Sequence, residues 1–267
     1  MTKAQISNLL RKLRLLYLTD WLRFYYQKFK NRNINKAFKL RHPDVKLPPD
    51  YLIYESFQIN YHKYYTQSKD TAKWLINHFE KHIDLKGKRI LDWGCGPGRI
   101  IRHLPELLGK DCRFYGTDYN KKSIDWCAQN LPNIAFNNNT LKAKLPYDDN
   151  NFDVIYGISI FTHLSEQLHY DWYRELYRIL KPNGILFLTT HGDNYKVKLT
   201  DSELKSYQKG ELIVRDNVKE GHRTFAAFHP EAFLKKLFNN IKIAEHIEVK
   251  PKKGGWLPQD IWILKKN

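Results

Sequence analysis

"RILDWGCGPGR", residues 89–99, sets Gly94, Gly96 and Gly98 at alternate positions, in a chain with only 13 glycines among 267 residues. Two apolar residues and an aspartate, Ile90, Leu91 and Asp92, precede them, and "RIIRHLPELL" (99–108) follows. The first part reads as a buried strand and the last as a helix, so the glycines occupy the tight turn between them. Glycine there permits positive φ and lets a ligand lie against bare backbone. Such a turn sits at the carboxyl edge of a sheet, where open α/β folds bind ligands and a helix N-terminus offers N–H groups to an anion.

From Gly87 onward strands and helices alternate. Strands are expected at 88–92, 112–117, 133–137, 152–157, 184–190, 241–249 and 259–264, and helices at about 98–109, 121–130, 166–180 and 230–238. This alternation predicts an α/β fold, a doubly wound, mostly parallel sheet with helices on both faces. Two final strands without a helix between them predict an antiparallel hairpin at one edge. Upstream, residues 5–30 read as a helix with apolar positions at Ile6, Leu10, Leu13, Tyr17, Trp21 and Phe24, and a second strip along Leu15, Leu18 and Leu22. Residues 31–50 are polar and basic and end in a proline-punctuated linker, "HPDVKLPPD" (42–50). "SKDTAKWLINHFEKHI" (68–83) reads as an amphipathic helix with Ser68 or Asp70 as N-cap and Trp74, Leu75, His78, Phe79 and Ile83 inward. The expected organisation is a basic helical extension and linker over 1–50 and a main domain over 51–267, with an insert at 193–229.

A hydrophobic content of 42% is enough for a sizeable core. The formal net charge is +17, and residues 1–46 carry twelve Lys/Arg against Asp20 and Asp44. The chain is therefore a nearly ordinary domain with a basic arm. Cys95, Cys112 and Cys127 form no CxxC pair, which predicts a reducing compartment and neither a disulfide framework nor a metal site. Arg11, Lys12 and Arg14 interrupt any signal-peptide core, and no uncharged run approaches the ~20 apolar residues of a membrane span. The expectation is a cytoplasmic protein. Its arm has three readings, in this order: a helix docked on the domain, a peripheral contact with the anionic inner face of a membrane, and a contact with RNA.

The spacing of the glycines argues against a dinucleotide. That fingerprint is G-x-G-x-x-G/A, whereas Arg99 holds the third-glycine position here. Asp92 would also repel a pyrophosphate and attract an ammonium. S-adenosylmethionine satisfies both constraints, having an ammonium and a carboxylate at one end and a ribose to hold. "RFYGTD" (113–118) ends the second strand in Asp118, twenty residues beyond Gly98, where a carboxylate can accept from ribose hydroxyls.

Four motifs in order, "LDWGCGPG" (91–98), "YGTD" (115–118), "LPYDDNNFDVIYGISIFTHL" (145–164) and "RILKPNGILFLTTHG" (178–192), resemble the class I S-adenosylmethionine-dependent methyltransferases. The resemblance covers about residues 60–267. It implies a Rossmann-like seven-stranded sheet with a reversed last strand. It also implies Asp92, Gly94 and Gly96 at the methionine moiety, Asp118 at the ribose, and Asn139 of "FNNNTL" (136–141) at the adenine edge. Tyr65 of "YYTQS" (64–68) would cover the methionine end, and Cys95, Tyr119 and Thr140 complete the expected cofactor set, with S-adenosylhomocysteine as product.

Methyl transfer from a sulfonium is an in-line displacement, so the protein must align the reactants, and a general base assists when the nucleophile is a hydroxyl. His163 in "SIFTHLS" (159–165) and His191 in "TTHGD" (189–193) stand at the ligand edge of the expected sheet. "GISIF" (157–161) takes the place of the Asn/Asp-Pro-Pro-aromatic turn by which family members acting on nucleobases hold an amine. The reading is a methyltransferase acting on oxygen of a small molecule or glycan, with the insert covering the acceptor through Tyr195, Arg215, His222, Arg223 or His229. The alternative is a non-catalytic protein of this fold that holds RNA or an anionic membrane through its arm.

Overall fold

A computed structural model describes residues 15–252 and 255–267, so the start of the expected N-terminal helix, residues 5–14, lies outside the described residues. Tyr17–Asn139 forms one compact unit and Thr140–Asn267 belongs to another. Within the first unit the strands pair in the order β3-β2-β1, and within the second in the order β4-β5-β9-β8, with the ranges given below.

In the first unit β1 (Arg89–Trp93), β2 (Arg113–Asp118) and β3 (Ile134–Asn138) run parallel, with Asp92 opposite Gly116 and Asp118 opposite Asn138. Four helices precede them: α1 (Leu16–Lys30), α2 (Arg32–Arg41), α3 (Asp50–Ser56) and α4 (Tyr61–Phe79). The basic residues 32–41 are thus helical, and residues 42–49, with the prolines of the expected linker, join α2 to α3. Phe24, Phe38, Ile53, Tyr54, Ile59, Tyr61 and Tyr64 form one buried cluster across these helices. Polar ties reinforce it: Tyr54 donates to Asp20 Oδ1 at 2.7 Å, and the Asn35 side chain accepts the Tyr61 N–H at 2.9 Å.

Helix α4 begins seven residues before the expected cap. Asn60 is its N-cap, accepting from the Lys63 N–H, and Ser68 is buried within it. Trp74 faces outward instead of inward. The expected helix at 98–109 is also shorter. After the glycine turn come a 3₁₀ turn, Ile101–His103, and α5 (Leu104–Leu108), with Pro105 in its first turn, where a missing N–H costs nothing. Helix α6 (Lys121–Asn130) follows β2 as expected.

In the second unit β4 (Phe152–Gly157) and β5 (Leu180–Thr190) are parallel, and β9 (Asp260–Lys265) runs antiparallel to both β5 and β8 (Lys242–Ile247). Runs such as Ile185–Leu188 and Ile261–Leu264 are buried without alternation, as strands covered on both faces require. Helices α7 (Glu166–Ile179) and α9 (Glu231–Leu237) lie between strands as the sequence predicts. The insert adds α8 (Asp201–Gln208) and a two-stranded antiparallel ribbon, β6 (Ile213–Arg215) and β7 (Ala226–Phe228). Among the described residues, no helix is long and apolar enough to cross a membrane.

Candidate functional site

The glycine turn is held by backbone bonds to the neighbouring strand. Gly94 and Cys95 both donate to the Thr117 carbonyl, at 2.8 and 3.0 Å. Gly94, Gly96 and Gly98 all adopt positive φ, between 52° and 78°. A Cβ on Gly98 would stand 2.7 Å from Leu131 Cδ1, and one on Gly116 would stand 2.6 Å from the Phe136 ring. Glycine is needed at the first for conformation and packing, and at the second because Phe136 and Cys95 close over the backbone.

Asp118 ends β2 beside this turn. Its Oδ2 accepts the Gly96 N–H at 2.9 Å and its Oδ1 accepts the Asn120 N–H at 2.7 Å. Among the described residues those two N–H groups are its side chain's only hydrogen-bond partners, and burial raises its pKa above the usual carboxylate value. Each oxygen keeps a further lone pair. Asp92 is buried at the end of β1. Thr117 donates to Asn139 Oδ1 at 2.7 Å, and the Asn139 N–H bonds the Asp118 carbonyl at 3.1 Å. The structure thus brings Asp92, Gly94, Cys95, Gly96, Asp118 and Asn139 to one edge of β1–β3. Burial and the carboxylates of Asp92 and Asp118 push the Cys95 thiol well up, which leaves it inert.

The neighbouring tyrosines of "YYTQS" (64–68) have different surroundings. Tyr65 turns its ring to His103 at 5.0 Å and Phe38 at 6.1 Å, under the Arg102 guanidinium. Tyr64 is the residue that reaches the turn, its buried hydroxyl donating to the Pro97 carbonyl at 2.8 Å. Helix α3 supplies contacts that the sequence did not signal. The Ser56 side chain abuts Gly96, and Glu55 accepts from the Asn120 amide at 2.8 Å. Tyr119, half-exposed, has its hydroxyl pKa raised by burial and by the charges of Asp118 and Glu55. Arg99 bonds Ser68 at 3.1 Å and stacks on Phe57.

In the second unit, Thr140 is exposed and accepts from the Lys142 N–H. Ser159, after β4, holds φ at 64°, an uncommon value for a residue with a side chain. Bonds to Thr189 and Gln259 lock it at 2.8 and 2.7 Å. The 3₁₀ turn Phe161–His163 follows, and His163 donates its Nδ1–H to the Phe225 carbonyl at 2.8 Å. That bond leaves Nε2 as the basic nitrogen, and burial lowers the imidazole pKa, so the ring is neutral.

His191 donates Nδ1–H to the Ala227 carbonyl at 3.0 Å and stacks on Tyr195 at 4.0 Å. Burial takes its pKa down to about 3. Three insert residues expected at an acceptor are internal supports. Arg215 is buried against Glu203 at 2.7 Å, Tyr195 bonds the Leu257 carbonyl at 2.8 Å, and His229 pairs with His169 at 2.9 Å. His222 and Arg223 lie close enough to His163 to depress its pKa. No group of His, Cys, Asp or Glu among the described residues could hold a metal.

The strand order, with a parallel sheet closed by an antiparallel β9, is that of the Rossmann-like methyltransferases. Residues 90–184 match the methyltransferase domain family. A phthiotriol/phenolphthiotriol dimycocerosates methyltransferase of Mycobacterium ulcerans is 29% identical over 154 residues, covering 53% of this chain and 54% of that protein. A fatty-acid O-methyltransferase of Mycolicibacterium smegmatis is 28% identical, covering 43% and 41%. The chain thus spans about half the length of the curated relatives it matches. Among solved structures, magnesium protoporphyrin IX methyltransferase from Synechocystis, with bound SAH, superposes with a TM-score of 0.53 at 16% identity. The match covers 91% of this chain and 99% of that one. Residues 90–184 thus carry the sequence pattern of a methyltransferase domain, and the fold is like that of solved S-adenosylmethionine-dependent methyltransferases.

The residues present fit that family's cofactor. A buried carboxylate bonded only to two backbone N–H groups calls for hydroxyl donors, and the adjoining turn presents no Cβ at its three glycines. Two carboxylates at one strand edge suit a ligand that carries an ammonium.

Proposed function

We propose that the protein transfers a methyl group from S-adenosylmethionine to a hydroxyl oxygen of a small, lipid-like or glycan acceptor. The observation that carries the reading is Asp118, a buried carboxylate with lone pairs to spare beside a turn of three positive-φ glycines. In this reading Asp118 accepts from the ribose hydroxyls, and Asp92 with Gly94 and Gly96 holds the methionine end. Asn139, whose Oδ1 is occupied by Thr117, directs its NH₂ group to the adenine edge. The bound cofactor supplies a methyl group already activated by its sulfonium.

His163 takes the acceptor's hydroxyl proton at Nε2, its Nδ1–H being anchored on Phe225. The Ser159 turn, fixed by Thr189 and Gln259, positions it. His191 acts as a positioning residue that fixes the ribbon through Ala227, and the insert 193–229 covers the acceptor. Support for oxygen acceptors comes from relatives named as a fatty-acid O-methyltransferase and a malonyl-[acyl-carrier protein] O-methyltransferase.

Calorimetric titration with S-adenosylmethionine and S-adenosylhomocysteine, beside NAD and an Asp92→Ala variant, tests the cofactor half. Binding of both sulfur ligands, lost in the variant and absent for NAD, is the expected result. Failure of both to bind would overturn it. Transfer of a labelled methyl group to lipid or glycan fractions in alkali-stable ether linkage is the result expected of the acceptor half, and label released by alkali, as from a methyl ester, would overturn it.

A further inference from the structure

Helix α1 has two faces of opposite character. Phe24 is buried against Tyr54, with ring centroids 5.5 Å apart. The opposite face carries Leu18, Trp21, Leu22, Tyr25, Tyr26 and Phe29, spaced i, i+3, i+4, i+7, i+8 and i+11, each between 51% and 65% exposed. That spacing normally marks the stripe a helix buries. Here it is turned outward on a helix that already has its own docking face. Soluble proteins rarely leave so many large apolar residues contiguous at the surface without a partner.

Cations line this stripe. Arg23 and Lys30 lie along one edge and Lys28, paired with Asp50 at 3.0 Å, along the other. Arg32 sits over the Phe29 ring at 4.4 Å and Lys30 over Tyr26 at 5.9 Å. Residues 17–46 hold eight Lys/Arg against Asp20 and Asp44. An apolar face with aromatic residues in its middle and cations at its rim matches an interface where hydrocarbon meets anionic headgroups.

We infer that the exposed stripe of α1 is a docking face for an anionic lipid bilayer. The charge decides between occupants. A second copy of the chain would bring like charges together at the rim, whereas anionic lipid complements them. Leu18 and Leu22 decide between lipid and RNA: aromatic rings stack on bases, but branched aliphatic side chains gain from hydrocarbon. Helix α3 joins the buried face of α1 to the glycine turn within one unit, since Tyr54 packs on Phe24 and Ser56 abuts Gly96. The inference goes beyond the methyl-transfer reading and stands without it.

The test is co-sedimentation of the full chain with phosphatidylcholine vesicles and with vesicles carrying about a quarter phosphatidylglycerol, at two salt concentrations. Two variants accompany it, Leu22→Glu/Phe29→Glu in the stripe and Arg23→Glu/Lys30→Glu at the rim. The expected result is at least about tenfold tighter binding to the anionic vesicles, weakened by salt and lost in both variants. Circular dichroism and a cooperative thermal transition like the parent's check that each variant is folded. Equal binding to neutral and anionic vesicles, or variants that bind like the parent, would overturn the inference. So would binding of a uridine homopolymer without vesicle binding, or a dimer that the stripe variant dissolves while vesicles are ignored.

Discussion

The Gly96 N–H donates to Asp118 Oδ2 at 2.9 Å, which ties the turn after β1 to the last residue of β2. The carboxylate that would meet the ribose therefore also fixes the turn that would meet the methionine. Asp118→Ala leaves the Gly96 and Asn120 N–H groups without their acceptor, at about 1–3 kcal/mol for each group left buried. The expected outcome is a lower melting temperature together with at least about a tenfold loss of S-adenosylhomocysteine affinity, one decade corresponding to ~1.4 kcal/mol.

Cofactor binding also acquires a pH dependence from Asp118. Burial raises its pKa above 3.8, so folding favours the protonated acid, and that stability is lost as pH rises through the folded-state pKa. A ligand that donates hydroxyls needs the ionised form. Affinity should therefore begin to fall at a pH above the ordinary carboxyl range as acid is added. Calorimetry across the mildly acidic range checks this, and Asp118→Asn should show no such dependence there.

Much of this site was legible because its constraints are backbone constraints. Glycine adopts φ of 78°, 52° and 73° without the steric cost a side chain would bring, so three of them at alternate positions mark the turn. The sheet was legible because Ile185–Leu188 and Ile261–Leu264 have no polar face. What failed to show were polar partnerships between distant residues. Tyr61 and Tyr64 enter the core by giving their hydroxyls to Asp50 and the Pro97 carbonyl, so "YHKYY" (61–65) did not look like a helix's inner face. Arg215 read as a candidate acceptor contact because nothing in the order of residues says that Glu203 folds back on it. The ribbon strands, at three residues each, are too short for any periodicity.

Tyr64 and Tyr65 can be separated by deleting one oxygen from each. Tyr64→Phe removes the bond to Pro97 in a buried place and should cost about 1 kcal/mol of stability, with a several-fold loss of cofactor affinity. Tyr65→Phe leaves the turn untouched and should bind as the parent does. Titration of both variants decides it, and an equal loss in Tyr65→Phe would return the covering role to Tyr65.

The insert depends on the Arg215–Glu203 pair. Burial alone would raise the Glu203 pKa, but hydrogen bonds from Arg215 and from the Thr200 backbone take it down to about 2. A depressed carboxyl contributes stability above its unfolded value, 4.5, and loses it as pH falls toward about 2. Arg215→Ala, which leaves that carboxylate beside the vacated guanidinium site, should destabilise by about 3 kcal/mol. Arg215→Met/Glu203→Leu should unfold with a shallower acid dependence than the parent, as urea denaturation between these pH values would report. An unchanged dependence would remove the pair from the insert's supports.

His163 makes the sharpest demand on the proposed chemistry. Its Nδ1–H is committed to Phe225, so only Nε2 can take a proton, and burial lowers its pKa below the ordinary 6.5. A base must be neutral to act, so its active form persists as pH falls through 6.5 and disappears only at the lower, folded-state value. The acid limb of kcat/KM for a hydroxyl acceptor should therefore lie below that of a free imidazole. His163→Asn has no basic nitrogen, so kcat should fall about a hundredfold or more, and its profile should lose that limb. S-adenosylhomocysteine affinity should stay near the parent's, since no cofactor contact is assigned to this side chain. A variant that keeps its kcat, or a parent with no acid limb, would leave His163 as an anchor for Phe225 and require the acceptor to be nucleophilic without a base.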